Sequence, residues 1–306
     1  YRFCKKVYAR NIDQRNREKE KRPFKVKALY ECFGITKQAY YKRIKAEELK
    51  QKQAEIILEL IRPIRREQSK YGGRKLFLDL QDDLKKHNIK MGRDAFFTFL
   101  RNHRLLVKKT KRFHITTDSK HGFYKSPNRL KDLTPTHAEQ VWVSDITYVK
   151  IQQNHAYLAL VTDAYSKKIM GYKIDTNMKA TLVKEALQMA LKNRLYSHQN
   201  IIHHSDRGIQ YCCPEFSDYA QNNGMLLSTT QKYDPYENAV AERVNGILKY
   251  EFGFIKTLPN LGVAKKMLKQ AVNIYNNNRR HYSLDMKTPE FAHRNQQHEY
   301  KSYSLN

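Results

Sequence analysis

Between Val141 and Ile174 the chain reads "VWVSDITYVKI" and then "HAYLALVTDAYSKKIMGYKI". These are β-branched and aromatic runs with almost no helix-favouring stretch between them, so they predict consecutive strands. Helix and strand signals then alternate. "TLVKEALQMALKN" is helical, "NIIHHS" a short strand, "PEFSDYAQNNG" helical, "MLLSTT" a strand and "ENAVAERVNGILKYEF" a helix. Strands in series followed by strands with interleaved helices exclude a helical bundle and a pure β-sandwich. They predict an α/β domain with a mixed sheet. No internal repeat is evident.

The N-terminal part has a different texture. Residues 1–22 are polar and basic and are expected to form a disordered leader. In "FKVKALYECFGITKQAYYKRIK" an apolar stripe through Ala28, Leu29, Cys32 and Phe33 predicts a helix ended by Gly34. Thr36 then N-caps a second, basic helix. Helix, glycine turn and basic helix match a helix-turn-helix, with a plain pair of helices as the simpler reading. Lys37, Lys42 and Arg43 are the candidate DNA contacts there. A long amphipathic helix follows, with Pro63 expected to kink or end it. Beyond "YGGRK", two more helical segments make a second candidate helix-turn-helix, where Arg101 and Arg104 are candidate DNA contacts. The expected division is a leader over 1–22, an all-α DNA-binding region over 23–115, a linker over 116–137, an α/β core over 138–295 and a tail over 296–306.

Charge narrows the partner. The formal net charge is +28 with pI near 9.8, and 37 basic against 15 acidic residues fall within 1–137. Such a balance calls for a polyanion. A membrane is not the expected partner, because no apolar run approaches the ~18 residues of a spanning helix and no signal peptide is apparent. Cys4, Cys32, Cys212 and Cys213 show neither C-x-x-C nor zinc spacing. They read as free thiols in a reducing, cytoplasmic compartment.

Three acids stand out against this basic background. Asp145 lies inside the first strand, Asp206 follows "NIIHHS", and Glu242 lies in the helix "ENAVAERVNGILKYEF". The intervals are 60 and 35 residues. Each has a plain reading: a solvated strand face, an Asp-Arg-Gly turn, a surface helix Glu. At 100° per residue, however, Val240, Val244, Ile247 and Leu248 take one side of the helix. Glu242, Asn245, Gly246 and Lys249 take the other. A carboxylate, a gap and a cation on one face suit a metal ligand beside a phosphate contact. Two divalent cations about 3.5–4 Å apart can clamp both oxygens of a phosphodiester exchange, and Mg²⁺ needs only a few carboxylates besides substrate oxygens.

Taken together, "VWVSDITYV", "LVTDAYSKKIMGY", "HHSDRGIQY", "YENAVAERVNGILKYE" and "YNNNRRHYSLDMKTPEF" resemble the transposases of bacterial insertion sequences, in the large third family whose enzyme comes from two overlapping frames. The resemblance covers residues 141–291 nearly continuously, and the 35-residue interval is that family's Asp-Asp-Glu spacing. "YGGRKL" and "FFTFLRNHRLLVKK" resemble the helical DNA-binding part ahead of the core.

The resemblance implies an α/β RNase H-like core, related to retroviral integrases and preceded by an all-α helix-turn-helix region. It implies Asp145, Asp206 and Glu242 as catalytic metal ligands for two Mg²⁺ or Mn²⁺ ions, and Lys249 as a contact to the element's terminal DNA. The activity implied is cleavage at an element end followed by direct attack of the freed 3′-hydroxyl on another phosphodiester, without a tyrosine nucleophile. The partners implied are double-stranded DNA and further copies of the chain assembled on it. Arg207 and Arg243 are further DNA-contact candidates. Tyr275, Asn276, Arg280 and His281 read as DNA or packing contacts, Arg280 foremost. His203 and His204 either shape the site or touch DNA, or serve the core. Asp163 is expected to be structural. Glu237 stands where relatives often carry Asp, and Asp234 and Glu251 fit no metal position. Two rival functions are a catalytically silent DNA-binding repressor and an RNase H-like nuclease that cuts without joining.

Overall fold

A computed structural model describes residues 32–107, 123–131, 133–152, 154–196, 200–231 and 238–296. Contacts divide the chain into two units, Tyr1–Glu59 and Leu60–Asn306. In the first unit Gly34 takes φ +60°, the left-handed conformation that suits a helix-ending glycine. Thr36 Oγ1 then accepts the Ala39 amide at 3.1 Å, the N-cap expected from the sequence. Helix α1 starts at Lys37 and runs to Glu67. The two expected helices are therefore one, and it continues past Pro63 instead of ending there. A proline removes its own N–H donor and crowds the carbonyl four residues back, but the hydrogen bonds on either side carry the helix through. The stretch expected to form the first helix of this motif lies mostly outside the described residues.

Within the second unit, α2 (Gly73–Lys86) and α3 (Arg93–Asn102) follow. Leu76, Leu80 and Leu84 recur every four residues on α2 and are buried, as are Phe96 and Leu100 of α3. Phe77 and Phe96 meet with ring centroids 5.4 Å apart.

The sheet is built from β1 (Val141–Lys150), β2 (His155–Asp163), β3 (Ile169–Asp175), β4 (Ile201–Ser205) and β5 (Met225–Thr229), in the order β3-β2-β1-β4-β5. The first three strands form an antiparallel meander, whereas β4 and β5 run parallel to β1. This mixed topology is the RNase H-like arrangement. Helix α4 (Ala180–Lys192) makes the crossover from β3 to β4. Gly171 of β3 permits its close approach, since a Cβ there would lie 2.1 Å from the Ala186 carbonyl oxygen. The short α5 (Ile209–Cys212) and then α6 (Pro214–Asn222) connect β4 to β5, and α7 (Ala239–Glu251), α8 (Leu261–Asn277) and α9 (Pro289–Arg294) complete the unit.

Strand alternation sorts the core into two layers. On one face Trp142, Val161 and Met170 pack with Leu182, Val183, Leu187 and Phe216 of α4 and α6. On the other, Val149, Leu158, Leu160 and Ile174 pack with Val244, Ile247, Leu248 and Leu268 of α7 and α8. Full burial of such side chains is worth about 1.5–3 kcal/mol each. Part of the expected linker lies along β5: the Arg129 amide donates to Ser228 Oγ at 2.9 Å, and Thr229 Oγ1 to the Ser126 carbonyl at 2.6 Å. The edge strand is thereby covered.

Asp163 serves structure, as expected. It is buried, and its carboxylate accepts the Glu139 amide at 2.7 Å and the Ser166 amide at 2.7 Å. Beside it the buried Glu139 accepts the Leu195 and Tyr196 amides at 2.8 and 3.1 Å. His293 of α9 bridges this cluster, with Nε2 3.2 Å from Glu139 Oε1 and Nδ1 3.0 Å from Ser166 Oγ. The C-terminal helix is thus fastened to the start of β1. Cys212 is buried and Cys213 half-buried, both as free thiols. Among the described residues no helix is long and apolar enough to cross a membrane.

Candidate active site

The first two acids meet through strand register. The parallel pairing of β1 with β4 runs from Val141 opposite Ile202 to Ser144 opposite Ser205. Asp145 and Asp206 are each the next residue along, so both follow the last pair of neighbouring strands ~4.8 Å apart. Asp145 falls on the same side of β1 as Val141 and Val143, whose cluster includes Ala241 of α7. Asp206 leaves the strand into a turn, and its Oδ1 accepts the Gly208 amide at 3.0 Å.

Helix α7 brings the third acid. Asn238, just ahead of the helix, donates from Nδ2 to the Ser144 carbonyl at 3.1 Å. Asn245, two turns on, donates from Nδ2 to Asp145 Oδ2 at 2.7 Å. Glu242 lies between these two anchors on the same helix face. Asn245 was expected on the polar side, yet it is buried; its bond across to β1 explains why. No role for Asn245 or Asn238 follows from sequence alone. The only signal is their i, i+7 spacing around Glu242.

The electrostatics show that the three acids share one neighbourhood. Burial pushes the Asp145 carboxyl up to about 7, and the charges of Asp206 and Glu242 add to the rise while the Asn245 hydrogen bond opposes it. Desolvation also raises Glu242. Lys249 is lowered by burial, with the Asp145 charge pulling it back up, so this cation lies close to the acids. Burial first, and the neighbouring acids after it, hold a proton on Asp145 near neutrality, and carboxylate oxygens are the donor type that hard divalent cations take. Asn245 Oδ1, buried without a partner among the described residues, adds an oxygen at the same place. No three His, Cys, Asp or Glu side chains among the described residues close into a cage around one point.

An Integrase core domain family model matches residues 135–235, and a second Integrase core domain model matches 223–289. The insertion element IS600 uncharacterized 31 kDa protein of Shigella sonnei is 33% identical over 264 residues, spanning 85% of this chain and 95% of that protein. The transposase InsF for insertion sequence IS3A of Escherichia coli is 28% identical across 76% of this chain and 81% of its own. The chain belongs to the IS3 family of bacterial insertion-sequence transposases. The transposase for IS629 of Shigella sonnei is 35% identical over a shorter stretch, 46% of this chain and 47% of that protein. Among solved structures, the HTLV-2 integrase catalytic core domain in complex with magnesium aligns with TM-score 0.41 at 18% identity, over 51% of this chain and 97% of that one. A simian T-cell lymphotropic virus intasome chain aligns with TM-score 0.46 at 18% identity, over 73% of this chain and 75% of its own.

The other expected site residues of this transposase divide into three groups. Lys37, Lys42, Arg43, Arg101, Arg104 and Arg243 are exposed, the first three in the N-terminal unit. Arg207 is turned back onto the fold, where Nε donates to the Thr230 carbonyl at 2.6 Å and Nη2 to that of Gln231. Arg280, expected to meet phosphate, is instead ion-paired with Asp79 of α2, and Nη1 donates to the Met286 carbonyl at 3.1 Å. Its partner lies 201 residues away in sequence, outside the reach of any local pattern.

The remaining contacts are packing contacts. Tyr275 is buried and donates to the Lys167 carbonyl at 2.9 Å; Asn276 brackets Ile169 through its amide and carbonyl, both at 2.9 Å. His281 is buried 2.8 Å from Arg279 Nη1. His203 and His204 serve the core rather than DNA. His203 Nε2 lies 2.8 Å from Ser144 Oγ and His204 Nδ1 2.8 Å from Ser228 Oγ, and burial takes His203 down to about 3, so that it stays neutral. Glu251 is held by Arg279 in a two-point pair at 2.8 and 2.7 Å. Asp234 and Glu237 lie outside the described residues.

Proposed function

We propose that this transposase cleaves the ends of its insertion sequence and transfers the 3′-hydroxyl to another DNA phosphodiester, using two divalent cations held by Asp145, Asp206 and Glu242. The observation that carries the reading is the shared register: Asp145 and Asp206 both succeed the Ser144–Ser205 pair, and the Asn245–Asp145 bond draws the Glu242 helix to them. When bound, Mg²⁺ or Mn²⁺ would activate the attacking oxygen and neutralise charge at phosphorus.

The chain's own residues have separable tasks. The three carboxylates would supply oxygens from three elements, and phosphate oxygens of DNA would complete each shell. Asn245 fixes the Asp145 carboxylate. Lys249, beside Asp145, grips the phosphate of the terminal DNA. No side chain becomes bonded to DNA. Double-stranded DNA is the substrate, and Lys37, Lys42, Arg43, Arg101 and Arg104 supply salt-dependent affinity for it. Two ends must be joined, so the working form is an oligomer on DNA.

The test combines purified chain, a labelled duplex bearing the element's own end, and Mg²⁺ or Mn²⁺, with Glu242→Gln alongside. The expected result is a metal-dependent 3′-end nick and a joined product in the wild type, with binding alone in the variant. Binding by both and cutting by neither would convert the reading to a DNA-binding repressor. Nicking without joining would make it a nuclease.

A further inference from the structure

Asp206 sits in a turn that runs straight into α5, and that short helix carries a second side chain toward it. The Gly208 amide donates to Asp206 Oδ1 at 3.0 Å, and the Tyr211 amide donates to the Gly208 carbonyl at 3.0 Å. The same glycine shows how close the two side chains come. A Cβ placed on Gly208 would lie 3.0 Å from Asp206 Oδ1 and 3.6 Å from Tyr211 Cδ2. The acid and the edge of the tyrosine ring are therefore neighbours across the position of one absent methyl group.

Tyr211 is 5% exposed, and its ring meets Phe216 edge-on at 5.4 Å between centroids and His203 at 6.0 Å. A phenylalanine would pack there equally well. The hydroxyl needs another reason. Its oxygen is buried and bonds to no described residue. A core tyrosine normally gives its hydroxyl a partner, because an unpartnered one weakens the fold. His203, its ring neighbour, is turned to Ser144 instead, with Nε2 2.8 Å from Oγ. Asn238 Oδ1 and Asn245 Oδ1 are buried without partners in the same way, on residues that already contact β1 at Ser144 and Asp145. Unsatisfied polar atoms thus gather around the acids.

The charges that act on the Tyr211 hydroxyl are carboxylates. Burial first, then Asp206 and then Asp145, hold the phenol proton on well above its ordinary 10. The group is therefore a donor at working pH. Asp145 Oδ2 already accepts the Asn245 amide, and Asp206 is the acid that shares a turn with the tyrosine.

We propose that Tyr211 is a positioning residue for Asp206, its hydroxyl donating to that carboxylate, directly or through one water, when a divalent cation is bound. The inference rests on the reading of Asp206 as a metal ligand. The role parallels that of Asn245 toward Asp145, since hydrogen bonds from outside a coordination shell fix a ligating carboxylate and tune it. The hydroxyl weakens the free chain and is used in the loaded one.

Tyr211→Phe removes the hydroxyl alone and keeps the ring. Without metal, the full-length variant should melt at the same temperature as wild type or higher. Mn²⁺ is then titrated into each chain without DNA, the free ion being counted by its paramagnetic resonance signal. The variant should bind about 10–100-fold more weakly. In the strand-joining assay its product should fall at limiting Mn²⁺ and recover at saturating Mn²⁺, which a general loss of structure would not allow.

Equal Mn²⁺ affinity in the two chains would overturn the proposal. A lower melting temperature without metal would overturn it too, because the hydroxyl would then have a partner inside the fold. The two readings fail separately. Wild type that binds Mn²⁺ and joins ends, with an equally avid variant, sinks the role of Tyr211 alone. A weakened variant of a chain that never nicks or joins sinks the strand-transfer reading alone, and a wild type that takes up no Mn²⁺ overturns both.

Discussion

At the scale of one residue, Asn245 has the clearest consequence. Its amide donates to the Asp145 carboxylate at 2.7 Å, and it restrains a group that burial and two neighbouring acids raise to about 7. Replacing it with Ala leaves that carboxylate less fixed and still more reluctant to ionise. Asn245→Ala should therefore need more Mg²⁺ and lose about 10–100-fold in joined product, as when the outer partner of a metal ligand is removed. A Mg²⁺ titration of strand joining reads this directly, and an unchanged metal requirement would exclude Asn245 from the site. The polar partner atoms of Asn245 explain its burial, and they come from a strand 100 residues earlier. No pattern within the helix can reveal that.

Helix α7 shows what an element's periodicity does and does not disclose. Its apolar side was legible: Val244, Ile247 and Leu248 are buried as the 3.6 period requires. The strands were legible too, because β-branched and aromatic runs have few other uses, and Thr36 marked a real boundary. What escaped was pairing at long range. Arg280 read as a phosphate contact because its Asp79 partner is on another element, and Pro63 read as a kink or an end because whether a helix runs on past a proline is a property of the whole segment. Gly246 supplies an element-scale test. A Cβ built there meets nothing within 4 Å, so no packing reason keeps glycine inside the helix. Gly246→Ala should raise the stability of the chain by about 0.5–1 kcal/mol, seen as a higher melting temperature. A lower one would mean that the space beside Glu242 is already filled.

For the molecule as a whole, the cluster of Glu139, Asp163, Ser166 and His293 ties the last helix to the first strand. His293 is shifted by opposing influences: burial lowers it, while the Asp163 and Glu139 hydrogen bonds raise it further, for a net rise. Glu139 is lowered overall, its hydrogen bonds from His293, Leu195 and Tyr196 outweighing the burial that raises it. The raised His293 stabilises the fold fully below its ordinary 6.5 and loses that contribution as pH climbs through its folded value. The lowered Glu139 contributes fully above its ordinary 4.5 and fades as pH falls through its folded value. Both contributions are present together between 4.5 and 6.5. His293→Gln should accordingly cost roughly 3 kcal/mol near pH 6, where the buried pair is charged, and less near pH 9. Thermal melts of both chains across that range should converge as the solution becomes alkaline; a constant gap would deny the pair its charge.

The register of β1 and β4 carries a consequence for how chains of this kind can vary. Asp145 and Asp206 are neighbours because Ser144 faces Ser205, not because 60 residues separate them. The interval is an odometer reading, whereas the register is an address. The turn at Thr176 and Asn177 is exposed between β3 and α4, and a residue added there would lengthen the count without moving either acid. A slip of β4 by a single place would leave the count intact and turn Asp206 away, since alternate strand positions face opposite sides of the sheet. Spacing in such a family can drift wherever a turn absorbs it, and the strand pair is the part that has to hold still.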